Sequence, residues 1–166
     1  DHLRAWRGID CVPDNIVITC GISDALDIIL RAMPGEKTEI WVEDPGFDEI
    51  RNAIVANGYE PVSFPVDEQG LDVVRAVEGC ANAGAAIVTP SRQFPLGIPM
   101  SLSRRLALLN WARQTGSWII EDDFDSEYRF SGHPISPLTT LDEHQAVFYL
   151  GSFSKVMLRS LRLGYI

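Results

Sequence analysis

The sequence predicts an α/β fold: a mostly parallel sheet of about seven strands with helices on both faces, forming a three-layer sandwich. Strand-like runs alternate with amphipathic segments along most of the chain. Several of the strand-like runs are continuously apolar, which is typical of strands that are buried on both faces of a sheet. The length of 166 residues fits one domain with a substantial core.

The first third of the chain predicts two strands and two helices. Ile16–Thr19 is a β-branched run, typical of a strand. Ala25–Met33 places its apolar residues on one helical face and is ended by a proline-glycine pair. Ile40–Val42 is the next strand, and Phe47–Asn57 has the pattern of an amphipathic helix that ends at Gly58.

The middle of the chain continues the alternation of strand-like and helical segments. Pro61–Phe64 predicts a short strand at an edge of the sheet, because proline has no N–H to donate to a neighbouring strand. Leu71–Val77 has a weak helical pattern, and Ala85–Thr89 predicts a fully buried strand.

The last third predicts the strongest helix and three more strands. Leu102–Thr115 is preceded by Ser101, a favoured N-cap, and followed by a glycine. Trp118–Ile120 and Val147–Leu150 are apolar strand signals, and Leu161–Ile166 resembles the beginning of another strand. We expect the chain to be a piece of a longer protein.

Composition excludes several classes of function. A net charge of −9 makes this chain a poor binder of nucleic acid by itself. No apolar run approaches the roughly 20 residues of a membrane span, so we expect no membrane partner. Cys11, Cys20 and Cys80 are odd in number and lack ligand spacing, which favours reduced thiols in the cytoplasm and no metal site.

The predicted fold brings several chemically active segments together. In such sheets, ligands bind beyond the carboxyl ends of the parallel strands. The segments that follow the predicted strands are Gly21-Ile22-Ser23, Asp44-Pro45-Gly46-Phe47, Pro90–Gly97, Asp122-Asp123 and Ser152–Lys155.

Lysine is scarce, and one of the two lysines lies in such a segment. Lys37 is in a polar turn and is predicted to be a surface residue. Lys155 follows an apolar strand and Gly151-Ser152-Phe153-Ser154. This position is suited to a lysine that binds a carbonyl group as a Schiff base. A strand-end lysine that reaches solvent is the alternative.

Two segments are suited to binding a phosphate. Gly21-Ile22-Ser23 opens a helix, whose free N–H groups and positive dipole end favour anions. Ser152 and Ser154 offer hydroxyls near Lys155, and the guanidinium of Arg162 can hold a phosphate through two hydrogen bonds. Helix packing for the glycine turn and a salt bridge for Arg162 are the alternatives.

Asp122 is the candidate acid. It follows Glu121 at the end of a predicted strand, where a solvated carboxylate is the simplest alternative. If it is buried, it could pair with a protonated pyridine nitrogen and make the ring an electron sink. Asp122 and Asp123 could instead bind Mg²⁺, but the spacing suggests no third ligand. Together, a lysine, a phosphate cradle and an acid describe a site for pyridoxal 5'-phosphate.

Five segments resemble a known family. Gly151–Lys155 with Arg162 resembles the Ser-x-x-Lys-x6-Arg segment of fold-type I, class I/II aminotransferases. The other segments are similar to the aminotransferase-like domain of MocR-type regulators in the GntR superfamily: Trp41–Phe47, Thr89–Gly97, Ser101–Leu109 and Ile119–Phe130.

This resemblance implies a role for each candidate residue. Lys155 would carry the cofactor as an internal aldimine, Asp122 would pair with the ring nitrogen, and Phe47 would stack on the ring. The phosphate would be held by Ser152, Ser154, Arg162 and the turn Gly21-Ile22-Ser23. The chain departs from the family pattern at four residues, where Phe47 and Phe124 replace tyrosines, Ile22 replaces a small hydroxyl residue and Arg92 replaces a histidine.

Three functions follow from these observations. The first is the effector domain of a bacterial transcription regulator, in which an amino compound reacts at Lys155. The resemblance implies that residues 1–166 are part of the large domain of a longer, homodimeric protein. It also implies that a winged helix-turn-helix that binds DNA and a small C-terminal domain lie outside this chain. The second is a free-standing aminotransferase acting on an amino acid and a 2-oxo acid, and the third is a dimerisation module without chemistry. Whether the site turns over substrate stays open.

Overall fold

The computed structural model describes residues 2–124, 135–153 and 162–166. Within these ranges the helices are α1 (His2–Arg7), α2 (Ile22–Ala32), α3 (Asp48–Ala56), α4 (Val73–Cys80) and α5 (Leu102–Thr115). The strands are β1 (Ile18–Thr19), β2 (Glu39–Asp44), β3 (Glu60–Asp67), β4 (Gly70–Leu71), β5 (Ala85–Val88), β6 (Trp118–Asp122), β7 (Val147–Ser152) and β8 (Gly164–Tyr165). Short 3₁₀ turns lie at Pro13–Asn15 and Leu138–Thr140.

The strands form one mixed sheet with the order β1-β8-β7-β6-β5-β2-β3-β4. The five central strands, from β7 to β3, pair in parallel. β8 is antiparallel to both β7 and β1, and β4 is antiparallel to β3. The predicted α/β fold with a mostly parallel sheet is confirmed, and the antiparallel strands at the two edges are what the sequence did not predict.

The sheet separates two apolar cores, as the three-layer prediction requires. On one face, α2 and α3 pack against alternate strand residues that include Ile40, Ile87 and Ile120. On the other face, α4 and α5 cover the residues between them, including Trp41 and Ile119. Trp41 stacks on Trp111 of α5 with ring centroids 3.8 Å apart. Successive residues of one strand thus serve opposite cores, which explains the continuously apolar runs.

Most helix ends follow the predicted signals. The Ser101 hydroxyl accepts the backbone N–H of Arg104 at 3.3 Å, and Gly116 ends α5 in the left-handed conformation with φ = 64°. The weak helix begins later than predicted. Leu71 belongs to β4, and α4 starts at Val73 because the Asp72 carboxylate caps it by accepting the N–H of Arg75.

The strand directions decide where the candidate site lies. Because β8 is antiparallel to both of its neighbours, β1 runs in the same direction as β7, β6, β5 and β2. The carboxyl ends of these five strands therefore meet at one edge of the sheet. In the described part of the chain, no helix is long and apolar enough to cross a membrane.

Candidate functional site

One corner of this edge gathers Gly21, Ser152 and Arg162. Gly164 of β8 pairs with Thr19 on one side and with Ser152 on the other. A Cβ atom on Gly164 would lie 2.8 Å from the Cα atom of Gly21, so glycine is needed for this close approach. A Cβ atom on Gly21 would lie 3.6 Å from the Nη2 atom of Arg162. Three residues predicted to hold a phosphate are thus neighbours.

The first turn of α2 faces this corner and begins at a glycine. Gly21 is the N-cap residue, with φ = 101° and ψ = −179°, and it has no side chain that could cap the helix. Ile22 and Ser23 are the first two helical residues. The carboxylate of Asp24 accepts the N–H of Cys20 at 2.8 Å, outside the helix. The N–H groups at the start of α2 and the positive end of its dipole are therefore suited to an anion.

Asp122 lies at the end of β6 and is buried. Its Oδ1 atom has no hydrogen-bond partner among the described residues. Burial raises the pKa of Asp122 to about 7, and the neighbouring carboxylates Asp123 and Glu43 add to the rise. A protonated ring nitrogen would donate a hydrogen bond to this oxygen and stabilise the ionised carboxylate.

A second buried acid, Glu43, organises the loop after β5. Its Oε2 atom accepts the Thr89 hydroxyl at 2.5 Å and the Gln93 amide at 3.3 Å. The same amide donates to the carbonyl of Pro45 at 2.7 Å, so the loop after β5 is tied to the loop after β2. Burial raises the pKa of Glu43 to about 7, although its hydrogen bonds with Thr89 and Gln93 oppose the rise.

Three phenylalanines form an aromatic ridge at this end of the sheet. Phe47 meets Phe94 edge-to-face at 5.2 Å, and Phe94 meets Phe124 edge-to-face at 6.2 Å. Phe47 and Phe124 are predicted site residues. Phe94 lies in a family-like motif but is not a predicted site residue, because a phenylalanine in a loop carries no local signal of such a role. Phe47 is 44% exposed, so its ring is accessible to a stacking partner.

The sequence did not predict a buried network behind Asp122. Arg7, the last residue of α1, forms an ion pair with Asp123 at 2.7 Å. Tyr149 of β7 donates a hydrogen bond to the same carboxylate. Arg7 also donates to the Tyr149 oxygen and to the Ser91 hydroxyl, at 3.1 Å each. No signal in the sequence joins these residues, which come from four distant segments.

The network engages one of the two acids that the magnesium alternative would use. The Asp123 carboxylate is already engaged by Arg7 and Tyr149. Among the residues that the structure describes, no group of three or more His, Cys, Asp or Glu side chains could hold a metal ion.

Of the two lysines, Lys37 lies among the described residues and Lys155 does not. Ser154 and Lys155, both predicted site residues, lie outside the described residues. Lys37 donates to the Thr115 carbonyl at 2.6 Å and to the Ser117 hydroxyl at 3.0 Å. It precedes β2, at the opposite edge of the sheet from Asp122. The prediction of a surface lysine was therefore incomplete, because Lys37 is a half-buried structural residue.

The described residues fit pyridoxal phosphate. A buried carboxyl oxygen that no described residue contacts by a hydrogen bond matches a ring N–H. The corner at Gly21 and Arg162 matches a phosphate. The exposed face of the aromatic ridge matches a planar ring.

The chain belongs to the aminotransferase class I and II family, whose sequence profile matches residues 2–166. Its relatives include transcription regulators. It is 38% identical over 166 residues to the probable rhizopine catabolism regulatory protein MocR of Rhizobium meliloti, covering 100% of this chain and 33% of that protein. It is 40% identical over 166 residues to the pyridoxine biosynthesis transcriptional regulator PdxR of Corynebacterium glutamicum, covering 100% of this chain and 36% of that protein.

Solved structures show the same fold. The chain matches the crystal structure of kynurenine aminotransferase from Pyrococcus horikoshii with a TM-score of 0.89 and 30% identity, covering 99% of this chain and 42% of that one. The predicted resemblance to MocR-type regulators and to fold-type I aminotransferases is thus confirmed. The chain spans about a third of the length of the two regulators.

Proposed function

We propose that this chain is the pyridoxal-phosphate-binding, aminotransferase-like effector domain of a bacterial transcription regulator, which senses a small amino compound. The observation that carries the proposal is the buried Asp122 carboxyl at the end of β6, whose Oδ1 atom lacks a hydrogen-bond partner among the described residues. One oxygen each of Glu43, Glu121 and Asp123 also lacks a partner, but the other oxygen of each of those acids is hydrogen-bonded. Asp122 lies at the same edge of the sheet as Gly21 and Arg162. Burying a carboxylate without a partner is costly, and a bound cation removes much of that cost. The similarity to MocR and PdxR over the whole chain supports a regulator.

Each candidate residue has a distinct part in binding. Bound pyridoxal phosphate would supply a carbonyl that condenses with amines and a ring that withdraws electrons. Asp122 would accept the ring N–H, and Phe47 would cover one face of the ring. Lys155 would attach the cofactor covalently in the absence of effector and would exchange with the incoming amine.

The phosphate would be anchored by a set of donors from two ends of the chain. These donors are the N–H groups of Gly21, Ile22 and Ser23, the hydroxyls of Ser152 and Ser154, and the guanidinium of Arg162. A charge-assisted hydrogen bond contributes ~1.5–3 kcal/mol, so several of them can hold a dianion after its desolvation. Phe124 has no hydroxyl to offer the ring oxygen, so we propose that this chain binds the cofactor with one hydrogen bond fewer than the family pattern implies.

The whole protein would contain further domains besides residues 1–166. We propose a homodimer in the cytoplasm, with residues 1–166 as part of the large domain, a winged helix-turn-helix that binds DNA, and a small C-terminal domain. The net charge of −9 supports a separate DNA-binding domain, because this chain would repel a phosphate backbone. Effector binding switches the regulator only if the amine has different affinities for its two conformations.

The alternative is a free-standing aminotransferase. The similarity to the Pyrococcus kynurenine aminotransferase favours it, with a TM-score of 0.89. In that case Lys155, after it releases the cofactor, would also move the substrate's α-proton as a general base. The identities of 38% and 40% to the two regulators, over the whole of this chain, support the regulator.

The test labels the lysine in the full-length protein. The protein is incubated with pyridoxal phosphate and reduced with borohydride, and the modified peptide is identified by mass spectrometry. We expect the label in the peptide that contains Lys155 and its loss in the Lys155→Ala variant. Lys37→Ala is the matched control and should keep the label, because Lys37 bonds to Thr115 and Ser117 at the opposite edge of the sheet. Labelling elsewhere, or none, would contradict the proposal.

A second measurement separates the regulator from the enzyme. The cofactor-loaded protein is mixed with amino acids and 2-oxo acids, and both product formation and affinity for DNA are followed. A regulator should change its affinity for DNA on binding an amine. Many turnovers per site, with unchanged affinity for DNA, would favour the aminotransferase.

A further inference from the structure

Arg7 lies at the base of the candidate site although it belongs to α1, far from Asp122 in sequence. Its side chain is only 5% exposed, and that of its partner Asp123 is 1% exposed. Burial by itself would lower the pKa of Arg7, but Asp123 and Tyr149 raise it above its ordinary value. Arg7 therefore stays charged inside the protein, and its charge is balanced by Asp123.

The guanidinium of Arg7 holds Asp123 through one carboxylate oxygen, Oδ2, which Tyr149 also contacts. Its Nη2 atom contacts both the Asp123 carboxylate, at 2.7 Å, and the Ser91 hydroxyl, at 3.1 Å. Its Nε atom donates to the Tyr149 oxygen at 3.1 Å, and Tyr149 in turn donates to Asp123. A planar fork can meet such a set of partners, whereas a lysine ammonium on a flexible stem holds them less firmly.

Asp123 is adjacent to Asp122, so its charge acts on the residue proposed to hold the cofactor. Among the described residues, two carboxylates raise the pKa of Asp122: Asp123 on its own segment and Glu43 from β2. Glu43 is met by neutral donors, Thr89 and Gln93, and its pKa of about 7 limits its charge. Asp123, by contrast, is met by the cation of Arg7. Arg105 is a second buried cation that interacts electrostatically with Asp123, but its hydrogen bonds go to backbone carbonyls. The charge on Asp122 therefore depends on whether Arg7, which contacts Asp123, compensates it.

We propose that Arg7 is a positioning residue of the cofactor site: it holds Asp123 and compensates its charge, so that Asp122 serves as the anion that pairs with a protonated ring nitrogen. The inference rests on the proposed function, since it needs pyridoxal phosphate at Asp122. It also links α1 to the site. Whatever displaces α1 weakens the pairing at the ring nitrogen, and cofactor binding stabilises the docked α1 by the same factor.

The test compares two cofactors in the full-length protein. Dissociation constants are measured for pyridoxal phosphate and for its 1-deaza analogue, in which a carbon replaces the ring nitrogen. In the wild type, an ionised Asp122 should favour pyridoxal phosphate over the analogue. In Arg7→Met, Asp123 repels the charge on Asp122, so this preference should shrink by about tenfold, the effect of one pKa unit. Arg7→Lys should keep part of the preference.

Two further variants separate this effect from a loss of structure. Arg4→Met is the matched control on α1, because Arg4 pairs with the exposed Asp10, and it should leave the preference unchanged. The double variant Arg7→Met with Asp123→Asn removes both charges of the buried pair, which is far less damaging than removing one. It should restore the preference for pyridoxal phosphate.

Each binding result below leads to a different conclusion. If Arg7→Met weakens both cofactors equally, or if the double variant fails to restore the preference, Arg7 has only a structural role and the inference is wrong. If the wild type binds neither cofactor, the proposed function fails first. If the wild type binds both equally, Asp122 does not pair with the ring nitrogen and the inference falls with that role.

Discussion

Arg162 lies directly against Gly21, although the two residues are near opposite ends of the sequence: a Cβ atom on Gly21 would be 3.6 Å from the Nη2 atom of Arg162. β8 causes this proximity, because it pairs with both β1 and β7 and carries Arg162 back to the start of α2. The turn and the cation therefore lie at one corner, where we propose that the phosphate binds, and a change in the turn should affect folding.

Gly21→Ala should destabilise the protein. Gly21 has φ = 101° and ψ = −179°, a conformation that is essentially restricted to glycine. We expect the free energy of unfolding to fall by about 1–3 kcal/mol, measured by urea denaturation. Gly35→Ala is the control, because Gly35 has open space around its Cα atom and no positive φ. An equal effect of both variants would contradict this explanation.

Asp122→Asn should change how stability depends on pH. The folded state raises the pKa of Asp122 to about 7, whereas the unfolded chain has a value of about 4. Between these values the folded state holds more protons, so the contribution of Asp122 to stability falls as the pH rises from about 4 to 7. The amide that replaces the carboxyl group does not titrate, so the variant escapes this loss.

The measurement is urea denaturation of the cofactor-free protein at pH 4.5 and pH 7.5. The stability of Asp122→Asn relative to the wild type should increase between the two values by on the order of 2 kcal/mol. Asp14→Asn, on the surface, should change the free energy of unfolding by less than about 0.5 kcal/mol at either pH. A difference between Asp122→Asn and wild type that is independent of pH would contradict the raised pKa of the buried Asp122.

Phe124→Tyr should alter the titration of the bound cofactor. The ring of Phe124 is half-buried beside Phe94. If pyridoxal phosphate binds as proposed, a tyrosine here would offer its hydroxyl to the ring oxygen of the cofactor. A hydrogen bond to that charged oxygen favours the deprotonated form, so the pH midpoint of the absorbance change should fall by about one unit. Phe148→Tyr is the control, since Phe148 packs on Trp118 away from the site. An unchanged midpoint in Phe124→Tyr would show that residue 124 does not contact the cofactor.

Local patterns in the sequence were sufficient for the order of most elements and for several of their ends, but they did not predict α1 or β4. Ser101 and Gly116 act as caps through neighbours in the chain, so their effect is readable without tertiary structure. The carboxyl-end rule for parallel strands also predicts, from the sequence alone, that Gly21, Asp122 and Ser152 lie at a common edge. The roles of Lys155 and Ser154 remain predictions from the sequence, since both lie outside the described residues.

Contacts between residues distant in the sequence decided the remaining features of the fold and of the candidate site. The sequence by itself determined which acid, amine and hydroxyl side chains lie at the ends of the predicted strands. It did not determine that β8 runs antiparallel and returns Arg162 to Gly21, because strand direction depends on partners distant in the chain. Nor did it place Arg7 of α1 against Asp123, since periodicity shows which face of a helix is apolar but not which charge it meets. The tertiary structure made those contacts, because burying Asp123 required a cation from elsewhere in the chain.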